Sequence, residues 1–390
     1  MSNNHLTKTI GILEHLVGFK SIPGKPTTEI INYIGEYLTK FGVEYELSFD
    51  ADGERANLFA TIGPNADGGV VLNGHTDVVP VTGQQWSTDP FTLTAKEDRL
   101  YGRGAVDMKG FLACMLASVP VFQANELTRP IHFAFTFDEE IGGFGMPVLL
   151  KQLAHKDFKP QAVIVGEPTE NKLITGHKGG FEMRTEITGY EVHSCNPTQG
   201  VSAISVAVAL INRIEETGAL FASSPYNNSP FDPPYSTFNI GTIEGGMARN
   251  ATAGWCHFNW ELRQMPGEDG ARIIKDIETY ATETLLPPMQ AVNPEANIKF
   301  ITEAPVPPLD DTNADDAAEL VSRLTGVNAR DVVSFGSDAG YFSDAGYSTV
   351  LYGPGSISRA HKPDEYIEID ELAQGLSFMS KLADHLSKQT

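Results

Sequence analysis

With 390 residues, the chain is long enough for two or three domains of ordinary size. Hydrophobic residues at 41% and charged residues at 20% are those of a folded globular protein and exclude a disordered chain. Acidic residues outnumber basic ones 50 to 28, a net charge of −22, and a field of that sign repels nucleic-acid backbones and anionic membranes.

No apolar run approaches the roughly 18 residues of a spanning helix, and residues 1–22 lack the basic start and continuous apolar stretch of a secretory leader, which implies a cytoplasmic protein. Ile30, Ile31, Ile34 and Leu38 fall on one helical face after Pro26, and residues 43–48 and 57–62 are short extended runs bounded by Asp and Gly. Residues 70–72, 131–137, 162–165 and 349–352 are continuous apolar runs rich in β-branched or aromatic side chains, the pattern of strands buried on both faces. Residues 110–122 and 146–153 read as helices. This alternation predicts an α/β domain with a largely parallel sheet between helical layers.

The middle of the chain changes period. Phe181, Met183, Thr185 and Ile187 alternate with polar residues as in an antiparallel strand with one wet face, and Val201, Ile204, Val208 and Ile211 then form a helical stripe. Strands at 236–243 and 254–263, a helix at 268–285 and a strand at 297–302 complete the order βαββαβ, the ferredoxin-like α+β signature. Pro307 and Pro308 follow it. The expected organisation is a discontinuous domain of residues 1–178 and 303–390, with an inserted domain at 179–302.

Each of the four buried strands is followed by a side chain able to bind metal. His75 follows the first, Glu139 and Glu140 the second, Glu167 the third, and His361 lies in the loop after the fourth. Open α/β sheets bind ligands outside the carboxyl ends of their strands, so these groups converge on one crevice, joined by Asp107 from a turn before a helix. Cys114, Cys195 and Cys256 are scattered without a CxxC, so neither a disulfide framework nor a thiolate site is expected, and any metal is held by His, Asp and Glu. Two imidazoles among carboxylates suit zinc or cobalt better than magnesium. Two cations about 3.5–4 Å apart need a bridging anion, which a short carboxylate such as Asp107 can supply. One of Glu139 and Glu140 can bind metal while its neighbour takes a proton from water, and Asp77 can fix the tautomer of His75. Taken singly, each is an ordinary loop or turn residue. The joint placement at five strand ends or turns carries the argument, although spacing alone leaves open which residues share an ion.

The runs G-H-T-D-V-V-P at 74–80, D-P-F at 89–91, Y-G-R-G-A-V-D-M-K-G at 101–110, D-E-E at 138–140, G-E-P-T at 166–169 and A-H-K-P-D-E-Y at 360–366 resemble the M20 dinuclear zinc amidohydrolases. The resemblance extends from about residue 10 to the C-terminus. Within the family, L-Y-G at 100–102, H-K-G at 177–179, P-Y-S-T-F-N-I-G at 234–241 and G-P-G-S-I at 353–357 are most similar to the acetylornithine deacetylase branch. The resemblance implies that Asp107 bridges two zinc ions, with His75 and Glu167 completing one site and Glu140 and His361 the other. It implies Glu139 as general base, Asp77 as partner of His75, and a cis peptide bond between Asp107 and Met108. It further implies that the inserted domain is a lid through which a homodimer forms, that His193 serves the partner's active site, and that Asn250 and Arg263 hold the substrate carboxylate. Ala251-Thr252-Ala253 and Glu261 depart from the residues common in relatives.

Other motifs add little. Gly102-Arg103-Gly104 lacks the third glycine of a dinucleotide fingerprint, there is no P-loop or G-x-S-x-G, and Cys195 beside His193 reads as an inert thiol. The expected function is zinc-dependent hydrolysis of the amide of N2-acetyl-L-ornithine, in arginine biosynthesis, with cobalt able to replace zinc and a small N-acyl amino acid as the only partner besides a second subunit. The nearest alternatives are succinyl-diaminopimelate desuccinylase or a carboxypeptidase on the same metal site. A non-catalytic metal-binding scaffold is a third reading, but such a protein would have no need of Glu139.

Overall fold

The computed structural model describes residues 3–156 and 158–387. Two compact units are present. One runs from the N-terminal helix to Gly176 and takes in 309–332 and the chain from Ser337 onward; the other comprises 177–308 and 333–336. The sequence expectation puts the second change at 302/303. The difference arises because the strand Asn297–Val306 continues past a bulge between Thr302 and Ala304 until Pro307 and Pro308 stop it.

The first unit holds an eight-stranded sheet in the order Tyr45–Phe49, Ala56–Ile62, Ile131–Thr136, Val70–His75, Ala162–Val165, Thr349–Leu351, Leu173–His177, Arg330–Val333. Its four central strands, from Ile131–Thr136 to Thr349–Leu351, run parallel, with Val70 opposite both Ile131 and Ala162, and Thr349 opposite Val163. They are buried on both faces, which is why they read as unbroken apolar runs. The flanking strands Ala56–Ile62 and Leu173–His177 pair antiparallel to this centre.

The helix Gly110–Ala124 packs between Asn3–Gly18 and Ile369–Leu386 on one face of the sheet, and Gly145–Leu153 and Asp338–Asp344 pack on the strands as well. Gly110–Ala124 is apolar nearly all round because it has neighbours all round. The stretch Ala105–Ala124 is in fact long and apolar enough to cross a membrane, contrary to the sequence expectation, but 89% of its apolar window is buried inside the fold, as befits a core helix. Each of its fully buried Leu and Phe side chains contributes about 1.5–3 kcal/mol. The helix Asn3–Gly18 goes unread at the sequence level, although Leu6, Ile10, Leu13 and Val17 repeat at helical spacing.

The second unit is a four-stranded antiparallel sheet in the order Thr237–Gly245, Trp255–Gln264, Gly179–Thr188, Asn297–Val306. The helices Ala203–Ser223 and Gly270–Tyr280 cover one face through Leu210, Ile214, Ile274 and Ile277, packed on Met183, Ile187, Phe258 and Trp260. The connectivity and strand order are ferredoxin-like. The single helix expected over 268–285 is segmented. Asp269 caps it by accepting from the Arg272 N–H, a wider turn follows at Ala281–Leu285, and Leu286–Val292 restarts at Pro287 and Pro288, where the missing N–H groups do no harm.

Candidate metal centre

In the first unit the parallel strands deliver the polar groups at their carboxyl ends. His75 is the last residue of its strand, Glu167 lies two residues beyond Val165, and Glu139 and Glu140 occupy a turn just past Thr136. Two glycines allow this. A Cβ on Gly166 would lie 2.0 Å from the Phe111 ring, and one on Gly74 2.6 Å from Leu112 and 2.7 Å from Met108. The core helix thus presses directly on the strand ends, so the helix start that carries Asp107 sits beside His75 and Glu167. The Asp107–Met108 peptide bond is cis.

Asp107 presents one carboxylate oxygen to each of two imidazoles, Oδ1 to His75 Nε2 at 3.1 Å and Oδ2 to His361 Nε2 at 3.2 Å. His361 Nε2 also lies 3.0 Å from Glu140 Oε2, and His75 Nε2 lies 3.9 Å from Glu167 Oε1. The result is two triads, His75–Asp107–Glu167 and Asp107–Glu140–His361, each with ligand atoms within 4.8 Å of one another and with Asp107 in common. Glu140 Oε1 and Glu167 Oε1 are buried without a hydrogen-bond partner among the described residues. Buried carboxylate oxygens are costly without a partner, and a cation supplies one. The donor set of imidazole and carboxylate fits zinc or cobalt.

The surroundings orient this set. His75 Nδ1 donates to the Asp77 carbonyl oxygen at 2.9 Å, which leaves the Nε2 lone pair for a cation. The Asp77 carboxylate is 3.8 Å from the ring and instead accepts the backbone N–H groups of Glu139 at 3.2 Å and Glu140 at 3.1 Å. Asp138, in a left-handed conformation, pairs with Arg55 and accepts the Gly24 N–H at 2.9 Å, anchoring the same turn.

Burial opposes ionisation of Asp107, yet His361 and His75 together hold it well below the usual carboxylate range. Burial pushes Glu139 and Glu167 upward, His75 opposes both shifts, and neighbouring carboxylates add to them. Asp338 is a buried carboxylate that sequence reasoning missed. It accepts from Thr136 Oγ1 at 2.6 Å, burial lifts it to about 6, and its signal is the Ser337 cap that starts Asp338–Asp344.

In the second unit, His193 bridges to Ala251 and the Ser194 N–H donates to the Asn250 carbonyl at 3.0 Å, so the chain brings His193 and Asn250 together. The Cys195 N–H donates to His193 Nδ1 at 3.2 Å, which places the ring proton of the neutral imidazole on Nε2. Arg263 pairs with Glu261 at 2.8 Å near the far end of the strand Trp255–Gln264. Trp255 and Arg263 are roughly 26 Å apart at the rise of an extended strand, and Asn250 lies before Trp255. Arg263 and Asn250 of one copy therefore sit at opposite ends of the sheet.

Residues 71–385 match peptidase family M20/M25/M40. The acetylornithine deacetylase of Yersinia pestis is 32% identical over 365 residues, covering 92% of this chain and 91% of its own length. That of Klebsiella pneumoniae (strain 342) is 30% identical over 389 residues, 98% of each chain. Among solved structures, the di-peptidase Dug1p of Saccharomyces cerevisiae superposes with a TM-score of 0.75 at 18% identity, covering 99% of this chain and 98% of its own. The M20 family metallo-carboxypeptidase Sso-CP2 of Sulfolobus solfataricus gives 0.74 at 19%, covering 99% and 100%. The structures agree in fold, and the sequence matches span nearly the whole chain. The chain belongs to peptidase family M20/M25/M40.

Proposed function

We propose that the chain is a dinuclear metal-dependent amidohydrolase that releases acetate and L-ornithine from N2-acetyl-L-ornithine, acting as a cytoplasmic homodimer in arginine biosynthesis. The single observation that supports the chemistry best is the pair of triads sharing Asp107, with Glu139 beside them. Bound zinc or cobalt would polarise the amide carbonyl and acidify the attacking water. Glu139 takes the water proton on its carboxylate as the new C–O bond forms, then returns a proton to the nitrogen as the C–N bond breaks. Asp77 holds the backbone of the Glu139–Glu140 turn, so the base keeps its place. His193, with its proton on Nε2, donates to the oxyanion.

The unit containing the triads would be the catalytic domain, and the ferredoxin-like unit the dimerisation lid. Two observations support a second copy. Arg263 and Asn250 of one copy lie at opposite ends of the sheet, so if both hold one α-carboxylate they come from different copies. The edge strand Thr237–Gly245 and the helix Ala203–Ser223 also expose Ile243, Val208 and Leu220.

The substrate assignment rests on the relatives, and a panel of N-acyl amino acids tests it. Zinc- or cobalt-loaded protein should hydrolyse N2-acetylornithine with kcat/KM at least ~100-fold above succinyl-diaminopimelate. Preference for the succinylated compound would overturn the substrate and leave the metal chemistry standing. No hydrolysis of any member would sink the reading.

A further inference from the structure

Of the ligands in the second triad, His361 is the least supported by burial. Its side chain is 52% exposed, it lies in a loop, and its φ of 61° is in the left-handed region, which is uncommon for residues other than glycine. Something else must hold it. The Gln84 amide Nε2 donates to the His361 carbonyl oxygen at 2.9 Å. The orientation of that amide is determined by chemistry: Arg103 Nη2 at 2.6 Å and Trp86 Nε1 at 3.0 Å both converge on Gln84 Oε1, and both are donors only. A flipped amide would set N–H against N–H. Arg103 also stacks over the Trp86 ring at 5.1 Å.

The same Arg103 donates through Nη1 to Glu365 Oε2 at 2.5 Å, in an ion pair of which both members are 1% exposed. The other carboxylate oxygen of Glu365 accepts the backbone N–H groups of Val106 at 3.0 Å and Asp107 at 3.2 Å. A continuous polar chain thus runs from the backbone of Asp107 through Glu365, Arg103 and Gln84 to the backbone of His361. Its ends are two of the three ligands of one triad. The His75–Asp107–Glu167 triad shares only the Asp107 end.

We propose that Gln84 is a positioning residue for the cation held by Asp107, Glu140 and His361, with Glu365 positioning Asp107 for both cations. The proposal rests on the dinuclear reading above. It makes an asymmetric demand: loss of Gln84 weakens one cation, whereas loss of Glu365 weakens two.

Metal-free protein titrated with Zn(2+) by calorimetry, with elemental analysis of the loaded product, reads this directly. Gln84→Ala should weaken one of two ions by ~10-fold or more and leave the other unchanged. Gln84→Glu should do the same, since a carboxylate keeps the Arg103 contact but cannot donate to the His361 carbonyl. In a His361→Ala background, Gln84→Ala should have no further effect on the remaining ion, while Glu365→Ala should weaken it. Gln84 faces solvent in part, so its variants should fold, and the melting temperature of the metal-free protein provides the check. Equal weakening of both ions by Gln84→Ala, or of neither, would overturn the proposal. Wild-type protein that binds fewer than two ions would instead overturn the dinuclear reading, and the proposal with it.

Discussion

The backbone N–H of Glu140 donates to the carboxylate of Asp77 at 3.1 Å, from a turn 63 residues away in sequence. The neighbouring Glu139 N–H does the same at 3.2 Å, so one buried carboxylate holds the turn that carries a candidate ligand and a candidate base. Asp77→Ala removes both acceptors and should lower kcat/KM and the affinity for one cation together, each by ~10–100-fold. Asp77→Asn retains one acceptor oxygen and should recover part of both. A change in neither quantity would show that the turn keeps its shape without Asp77.

Glu139 and Glu140 are adjacent but should separate cleanly by experiment. Glu139 belongs to neither triad, whereas Glu140 lies 3.0 Å from His361 Nε2. Glu139→Gln should therefore keep two bound cations and lose ~10²–10⁴-fold in kcat. Glu140→Gln should lose a cation. Loss of metal from the Glu139 variant, measured by elemental analysis, would reassign it as a ligand.

Gly166 tests how tightly the candidate ligand Glu167 depends on packing. An added Cβ would lie 2.0 Å from the Phe111 ring, so Gly166→Ala must displace either the core helix or the strand end. It should destabilise the fold by about 1–3 kcal/mol and weaken metal binding. The double variant Gly166→Ala with Phe111→Leu makes room and should recover part of both losses relative to Gly166→Ala alone. A fully stable single variant with normal metal content would refute the close-packing account.

Acid should destabilise the metal-free protein partly through His132. This imidazole is buried and stacks on Phe59, and burial, aided by the nearby Lys156 charge, lowers it to about 4. The unfolded chain takes up the proton near 6.5 and the folded one only near 4. Stability from this group is therefore complete above about 6.5 and falls as the pH drops toward 4, by up to about 3 kcal/mol. His132→Gln should show a shallower loss over that window in denaturant titrations. Parallel pH profiles for variant and wild type would remove His132 from the account.

The central strands were legible because burial on both faces writes itself as unbroken apolar runs, and their polar ends stood out against them. The βαββαβ order was legible because its strands alternate, with one wet face. The supporting charges were not. Arg103, Glu365 and Asp338 are nearly fully buried, but a charged residue between turn residues reads as surface until its partner, up to 262 residues away, is known. The helix expected over 268–285 stops short of the observed one, because the helical backbone runs on through the wider turn Ala281–Leu285 into Leu286–Val292, past the point where Pro287 and Pro288 read as a stop.

The separation between Arg263 and Asn250 bears on how many chains make one site. Because His193 and Asn250 share one end of the four-stranded sheet and Arg263 lies roughly 26 Å along it from Trp255, a substrate held by all three draws on two copies. Two inactive variants should then complement. In a mixed dimer of His193→Ala and Glu139→Ala chains, the site built on the intact Glu139 receives the intact His193 from its partner, while the other site receives neither. Free exchange of equal amounts yields half mixed dimers with one working site of two, so activity should recover to about a quarter of wild type. The two parent preparations stay inactive under the same conditions, which separates exchange from contamination. If exchange is demonstrated by mass-tagged subunits and activity does not return, the site is built within a single chain, and Arg263 and Asn250 do not act on the same carboxylate.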